Sequence, residues 1–368
     1  MKRTVLLNPG PLTTSDAVKQ ALLVSDICPR EKEFGILMDS VRQDLVKIVH
    51  GEKTHECVLF VSSGTGAVEA CLTSLYEKNK SFLVINNGAY GKRIQNICDR
   101  FEISHIDLNC EWGEPVDLIQ YESLLEQNTD SISAVVFVHH ETTVGILNPL
   151  NEISDIAQKY KKTVIIDAMS SYAGIPMDVQ KNKIHYLISS SNKCIQGMPG
   201  LSFVIGERAS LEKIKNLNPK SYYFNLYENY IFQKEQKQFQ FTPPVQVLYA
   251  LRKAIDEYFE ETEEGRFNRY SELYKSLIIG LKKMGFHFLV GEKHHSKLLT
   301  AILNPKDPKY NFNDMHDYLY ERGFTIYPGK GTKEGTFRLA NIGALCRKDI
   351  EEFLQHLKEY FIKFKINS

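Results

Sequence analysis

Val164-Ile165-Ile166-Asp167-Ala168-Met169-Ser170-Ser171, followed after a connecting segment by Tyr186-Leu187-Ile188-Ser189-Ser190-Ser191-Asn192-Lys193-Cys194-Ile195-Gln196-Gly197-Met198-Pro199-Gly200, is the stretch that decides the fold. Val164 to Ile166 is a β-branched apolar run, the pattern of a strand buried on both faces, and it ends in an acid. Tyr186 to Ile188 is a second such run, with Lys193 just beyond it. Open α/β sheets bind ligands at the carboxyl ends of their strands, so Asp167 and Lys193 converge on one site. Gly197 and Gly200, flanking Pro199, let the chain turn tightly after the lysine. A lysine able to form a Schiff base, beside an acid able to hold a pyridinium nitrogen, is the pairing that pyridoxal phosphate requires. An isolated pair of this kind is more often a loop lysine and a structural aspartate, so the rest of the chain has to support it.

Outward from this centre the same alternation repeats. Strands are expected at Val58–Val61, Phe82–Ile85, Ile132–Val138 and Leu201–Ile205, with helical spacing over Met38–Ile48, from Val68, and over Leu150–Tyr160. Alternating strands and helices imply a mostly parallel sheet with helices on its faces. From 220 to 237 the chain turns aromatic and polar, which suits either a subunit contact or a domain-packing element. Beyond it, a stripe of Phe267, Tyr270, Tyr274, Leu277, Ile278 and Leu281, strands at Leu298–Leu303 and Phe324–Tyr327, and a final amphipathic helix read as a second unit.

Composition bounds the function. At 368 residues the chain has room for a large α/β domain and a smaller one. Lys plus Arg equals Asp plus Glu at 45 each, so no basic surface advertises nucleic acid. The seven cysteines are scattered without C-x-x-C spacing, which favours free thiols in a reducing compartment. The apolar run near the N-terminus is too short for a signal peptide and no window is long enough to span a membrane, so a cytoplasmic protein is expected. His139 and His140 are adjacent rather than four apart, which argues against a metal.

Several loops carry chemistry-bearing residues. Ser62-Ser63-Gly64-Thr65-Gly66 joins a strand to a helix and can present N–H groups and hydroxyls to a phosphate, although many such turns bind nothing. Tyr90 lies between glycines after a strand, where a ring can face a cofactor or merely pack the loop. Thr13, Thr14 and Ser15 precede a helix start. Ser15 is placed to cap it, and a helix start is also an anion site. Arg30 lies in a charged surface stretch. Arg338 sits inside an apolar strand, where a charge needs a partner and a substrate anion is one candidate.

Together these stretches resemble the class V, fold-type-I pyridoxal-phosphate aminotransferases. The likeness runs through LNPGPLTTS (7–15), SGTGAVEA (63–70), NNGAYGKR (86–93), HHETTVGILNP (139–149), IIDAMSSYAGIPMD (165–178), YLISSSNKCIQGMPG (186–200), FTPP (241–244), IYPGKG (326–331) and FRLANIG (337–343). The resemblance implies the fold-type-I transferase architecture, with an arm at the active site (1–15), a large cofactor-binding domain of mostly parallel mixed sheet between helices (16–255) and a smaller C-terminal α/β domain (256–368). It implies that Lys193 holds pyridoxal 5′-phosphate covalently, that Asp167 holds the ring nitrogen and that Tyr90 stacks on the ring. Ser63, Gly64 and Thr65 would hold the phosphate. Thr142 would complete the cofactor pocket, with Thr242 entering from the second subunit of a homodimer with shared active sites. Arg338, helped by Thr13, Thr14 and Ser15, would bind the anionic end of each small-molecule substrate. The stretch around Arg30 is similar to the arginine-bearing segment of the alanine–glyoxylate and serine–glyoxylate members, which gives Arg30 a part in choosing the donor. Cysteine desulfurase chemistry is disfavoured, since neither Cys194 nor Cys346 lies on an obvious mobile loop. A non-catalytic α/β module binding a nucleotide or anion is the reading from another class.

Overall fold

The computed structural model describes residues 3–367, so Met1 and Lys2 of the expected arm lie outside the described residues. A seven-stranded sheet runs in the order His55–Val61, Leu201–Glu207, Tyr186–Ser190, Thr163–Asp167, Ile132–Val138, Ser81–Asn86, His105–Asn109. Strand alternation sends Val164 and Ile166 into one layer and Ile165 into the other, and all three are fully buried. The first layer includes Phe34, Met38 and Leu45 of Lys32–Lys47 and Leu248, Leu251 and Ile255 of Val245–Glu261. The second includes Ala70 and Leu72 of Gly64–Ser74, Ile94 and Ile97 of Ala89–Arg100, and Tyr230 of Leu226–Gln236. A sheet covered on both sides needs continuous apolar strands rather than alternating ones, which is why these runs are legible.

Leu201–Glu207 is antiparallel to both neighbours. The segment joining it to Tyr186–Ser190 carries Lys193 and contains no helix. A parallel crossover needs a dozen or more residues, usually including a helix, so the chain can only return. The other four neighbouring pairings, which link Tyr186–Ser190 to His105–Asn109, are all parallel, as expected of a mostly parallel sheet.

The C-terminal part builds a three-stranded antiparallel sheet, Leu299–Leu303, Thr336–Ala340, Tyr327–Pro328. Helices Glu263–Lys283, Phe312–Glu321 and Arg347–Phe364 cover it through Leu277, Leu319, Phe353 and Leu357. The expected strand Phe324–Tyr327 is split. Phe324–Thr325 pairs with Val5–Leu6 of the arm, in parallel, while Tyr327–Pro328 pairs with Thr336–Ala340. The expected boundary at 255/256 falls inside helix Val245–Glu261, which ends before Thr262, whose φ is +71° and whose hydroxyl caps the next helix by accepting from the Gly265 N–H.

Gly145 joins the two parts. Its φ is +89°, its carbonyl accepts from the Ser296 N–H at 2.9 Å, and an added Cβ would lie 2.5 Å from the Leu299 carbonyl oxygen. Backbone cannot step aside as a flexible side chain can. Gly145→Ala is therefore expected to destabilise the protein by roughly 2–4 kcal/mol, combining strain at positive φ with overpacking. Urea unfolding of the variant beside wild type measures this.

Candidate active site

The carboxyl ends of the parallel strands open on a cleft lined by Asp167, Lys193, Thr142, Tyr90 and the Ser63-Gly64-Thr65 turn, among others. Asp167 ends its strand, as the sequence implied, and is 6% exposed. Its Oδ1 accepts from the Met169 N–H at 2.9 Å, the one hydrogen bond to this carboxylate among the described residues. Burial pushes its pKa up, against that hydrogen bond and the opposing charges of Arg93 and Lys193. Lys193 Nζ donates to the Pro9 carbonyl at 2.8 Å, and burial pushes its pKa down, the direction that makes an amine a nucleophile. Gly10 is what allows this contact. A Cβ there would stand 2.4 Å from Nζ, at a φ of +139°.

The strand-to-helix turn presents an anion site. The helix begins at Gly64, four residues before the expected Val68, so Gly64 and Thr65 occupy its first turn, where N–H groups lack intrahelical partners. Ser63 stands at the N-cap position without spending its hydroxyl on a cap. Gly64 admits Met169, whose Sδ would lie 2.2 Å from a Cβ at that position. Arg93, which sequence reasoning missed, reinforces the site. Its Nη1 donates to Thr65 Oγ1 at 3.2 Å, its guanidinium covers the Tyr90 ring at 4.7 Å, and it has no carboxylate partner among the described residues. Tyr90 was expected in a loop, but helix Ala89–Arg100 has already begun, which puts Tyr90 and Arg93 three apart on one face.

Glu141 holds that helix start in place. Fully buried, it accepts from the N–H groups of Tyr90 and Gly91 through Oε2 and from the Thr143 N–H and hydroxyl through Oε1. Burial pushes its pKa up while these four donors oppose the shift. Glu141→Gln would turn an NH₂ group towards N–H donors. The variant is expected to lose about 1–3 kcal/mol of stability, with Tyr90 displaced, as read by thermal unfolding and tyrosine fluorescence.

The expected substrate residues separate into two groups. Arg338 is 5% exposed and lies behind the cleft lining, joined to it where Nη1 donates to the carbonyl of the lining residue Thr142 at 3.2 Å, while its Nε donates to the Pro328 carbonyl at 3.0 Å. Neither bond neutralises its charge. Thr13, Thr14 and Ser15 do not line the cleft. Thr13 Oγ1 accepts from the Leu6 N–H, and Ser15 caps Asp16–Gln20 while donating to Glu257. The arm instead reaches the site through Pro9 and Gly10, because its pairing with Phe324–Thr325 sets where it crosses. Arg30 is also outside the cleft, donating to Gln238 Oε1 and to the carbonyls of Phe239 and Gln240. Thr242, just beyond, is exposed and faces no part of this subunit's cleft.

These groups fit pyridoxal 5′-phosphate. A buried carboxylate with spare acceptor capacity suits a protonated ring nitrogen. The free helix start with Arg93 suits a phosphate, and the depressed lysine suits an aldehyde. His140, in the same lining, is buried with its Nε2 unpartnered and its pKa pushed down to about 3, a neutral polar group left for a ligand to satisfy.

The aminotransferase class-V family profile matches residues 18–351. The chain is 38% identical over 357 residues to the 2-aminoethylphosphonate–pyruvate transaminase of Salmonella paratyphi C, covering 96% of each chain. It is 39% identical over 359 residues to the bifunctional phosphonoacetaldehyde hydrolase/aminoethylphosphonate transaminase of Clostridioides difficile, covering 97% of this chain but spanning only 56% of that relative. In three dimensions it superposes on the ureidoglycine–glyoxylate aminotransferase of Bacillus subtilis with a TM-score of 0.91 at 22% identity, over 99% of this chain and 94% of that one. Among the described residues no helix is long and apolar enough to cross a membrane. With a fold, a lysine–aspartate site and a family profile that agree over nearly its whole length, the chain belongs to the class-V aminotransferases and is a pyridoxal-phosphate-dependent enzyme.

Proposed function

We propose that this enzyme transfers the amino group of 2-aminoethylphosphonate to pyruvate, giving phosphonoacetaldehyde and L-alanine. The observation that carries the reading is Arg338, a buried guanidinium bonded to the cleft residue Thr142, whose charge no carboxylate of the described residues meets. One pocket must accept a phosphonate and later a carboxylate, and a planar fork pairs bidentately with either. The names of the two relatives at 38% and 39% identity support the same donor. Arg30, committed to the 238–240 backbone, gives the glyoxylate-type alternative no support within its own subunit.

In this reading Lys193 holds the cofactor covalently, Asp167 its ring nitrogen, Tyr90 its face, Thr142 its pocket wall, and Ser63, Gly64 and Thr65 its phosphate. The cofactor supplies an electron sink for the pair left when the amine carbon loses its proton. Lys193, whose pKa desolvation lowers, removes that proton and returns it on the far side of the transfer. Asp167, ionised opposite a cation, keeps the sink charged. Arg338 fixes the substrate's anionic end so that the reacting carbon stays near Nζ. Thr242 completes the cleft of a partner subunit in a homodimer. Its exposure, and a neighbouring cluster in which Phe241 stacks on Tyr223 at 4.6 Å beside a Tyr222 that is 80% exposed, support a subunit contact there. All seven cysteines are free, which supports a cytoplasmic site of action.

The test is a paired assay of the cofactor-loaded enzyme. L-Alanine and phosphonoacetaldehyde are expected from 2-aminoethylphosphonate and pyruvate, at higher kcat/KM than any product from alanine or serine with glyoxylate. The reverse order would replace this reading with the glyoxylate-type one.

A further inference from the structure

The Tyr90 ring lies near two cations, and the second comes from the C-terminal part of the chain. Lys330 Nζ sits 5.6 Å from the ring centroid, and among the described residues it has no ion-pair partner. The segment that carries it is held on both sides. Before it, the Pro328 carbonyl takes the Arg338 Nε–H and the Gly329 N–H donates to the Thr336 carbonyl. After it, Gly331 at φ +67° lies flat against Trp112, where a Cβ would stand 2.5 Å from the indole, and Lys333 pairs with Glu111. These contacts bind the 328–333 strap to the 111–112 loop. They leave Lys330 an exposed lysine beside Tyr90, two residues along the chain from the backbone that orients Arg338.

We propose that Lys330 is a specificity-determining residue, which together with Arg338 binds the phosphonate end of the amino donor as a dianion. The inference rests on the donor assigned above. A phosphoryl-type group carries about −1.5 to −2 charges near pH 7, whereas a carboxylate carries a single one. Arg338 alone matches the carboxylate of pyruvate or alanine. A phosphonate has a further charge and a third oxygen to satisfy, and a lysine is a mobile point charge that can reach it without altering the planar fork. Lys330 therefore favours the phosphonate half of the cycle while contributing little to the carboxylate half. Its exposure is consistent with this division, because a charge at the rim can swing away when the second substrate enters.

The experiment uses the cofactor-loaded enzyme with Lys330→Gln and Lys330→Arg. Lys330→Gln is expected to raise KM for 2-aminoethylphosphonate by about 10- to 100-fold with kcat little changed, the loss of one charged hydrogen bond. KM for L-alanine in the reverse half-reaction should move far less, and Lys330→Arg should restore most of the phosphonate affinity. Methylphosphonate, measured as a competitive inhibitor against L-alanine, should lose affinity by the same factor, while acetate should not. An equal loss with alanine and acetate would mean general damage to the site, and an unchanged methylphosphonate inhibition constant would remove Lys330 from it; either result overturns the proposal. Should the wild type turn over alanine but not 2-aminoethylphosphonate, the donor assignment falls, and the methylphosphonate constants still decide the role of Lys330.

Discussion

Lys193→Ala is expected to lower the rate of amino transfer by about 10²–10⁴-fold or more and to leave no cofactor covalently attached after borohydride reduction. The lysine holds two tasks that no neighbour can take over. It is the half-buried amine of the cleft, its only acceptor among the described residues is the Pro9 carbonyl, and desolvation keeps its pKa below the ordinary lysine range despite the nearby Asp167 carboxylate. Arg93 and Arg338 carry guanidiniums, which do not deprotonate in proteins. The fold should survive the change. Because the folded-state pKa is depressed, folding disfavours the ammonium, and that penalty is present at neutral pH and absent above the lysine's unfolded pKa. Alanine has no such penalty, so the cofactor-free variant should be at least as stable as cofactor-free wild type at pH 7. Mass spectrometry of the reduced proteins checks the covalent claim and thermal unfolding checks the fold. A reduced adduct of the same mass on another side chain of the variant would dismiss Lys193.

Asp167 and Lys193 were legible because one ends and the other closely follows a strand buried on both faces, where apolar runs end abruptly and whatever follows must face the ligand side of the sheet. The Ser63-Gly64-Thr65 turn was legible for the same reason, although its helix start was not: Gly64 and Gly66 weaken local helical preference, and tertiary packing of Gly64 on Met169 overrides it. Glycines likewise disguised the helix that carries Tyr90, and with it the three-residue spacing that would have found Arg93. The arm was harder. Thr13, Thr14 and Ser15 have side chains suited to an anion, but pairing of Val5–Leu6 with a segment more than 300 residues away sets the crossing point, so Pro9 and Gly10 meet the lysine through backbone alone. No side-chain pattern encodes that. Arg30 illustrates the reverse case: its residue type suggested a ligand group, and three acceptors at 238–240 claim it instead.

Asp167→Asn should separate stability from activity, in opposite directions. The carboxylate is buried with one donor, and burial raises its pKa in the cofactor-free protein. A carboxyl whose folded pKa lies above its unfolded one favours folding at low pH, and that contribution is lost as pH rises through the folded value. Asparagine has the same shape and no charge to bury. Cofactor-free Asp167→Asn should therefore melt a few degrees above wild type at pH 7–8, with the gap closing as pH falls towards the unfolded carboxyl pKa of about 4. Loading with pyridoxal 5′-phosphate should reverse the order, because a cationic ring nitrogen gives the wild-type charge its partner and binding stabilises in proportion to affinity. Amino transfer should meanwhile fall by about 10²–10³-fold, the usual cost of losing one preorganised charge at a reacting centre. Spectral titration with the cofactor and melting at several pH values test both halves. If asparagine were as active as aspartate, or if the cofactor raised both melting points equally, the residue would be a structural acid at a strand end, and the pairing inferred from Val164 to Gly200 would lose its electronic half while keeping its covalent one.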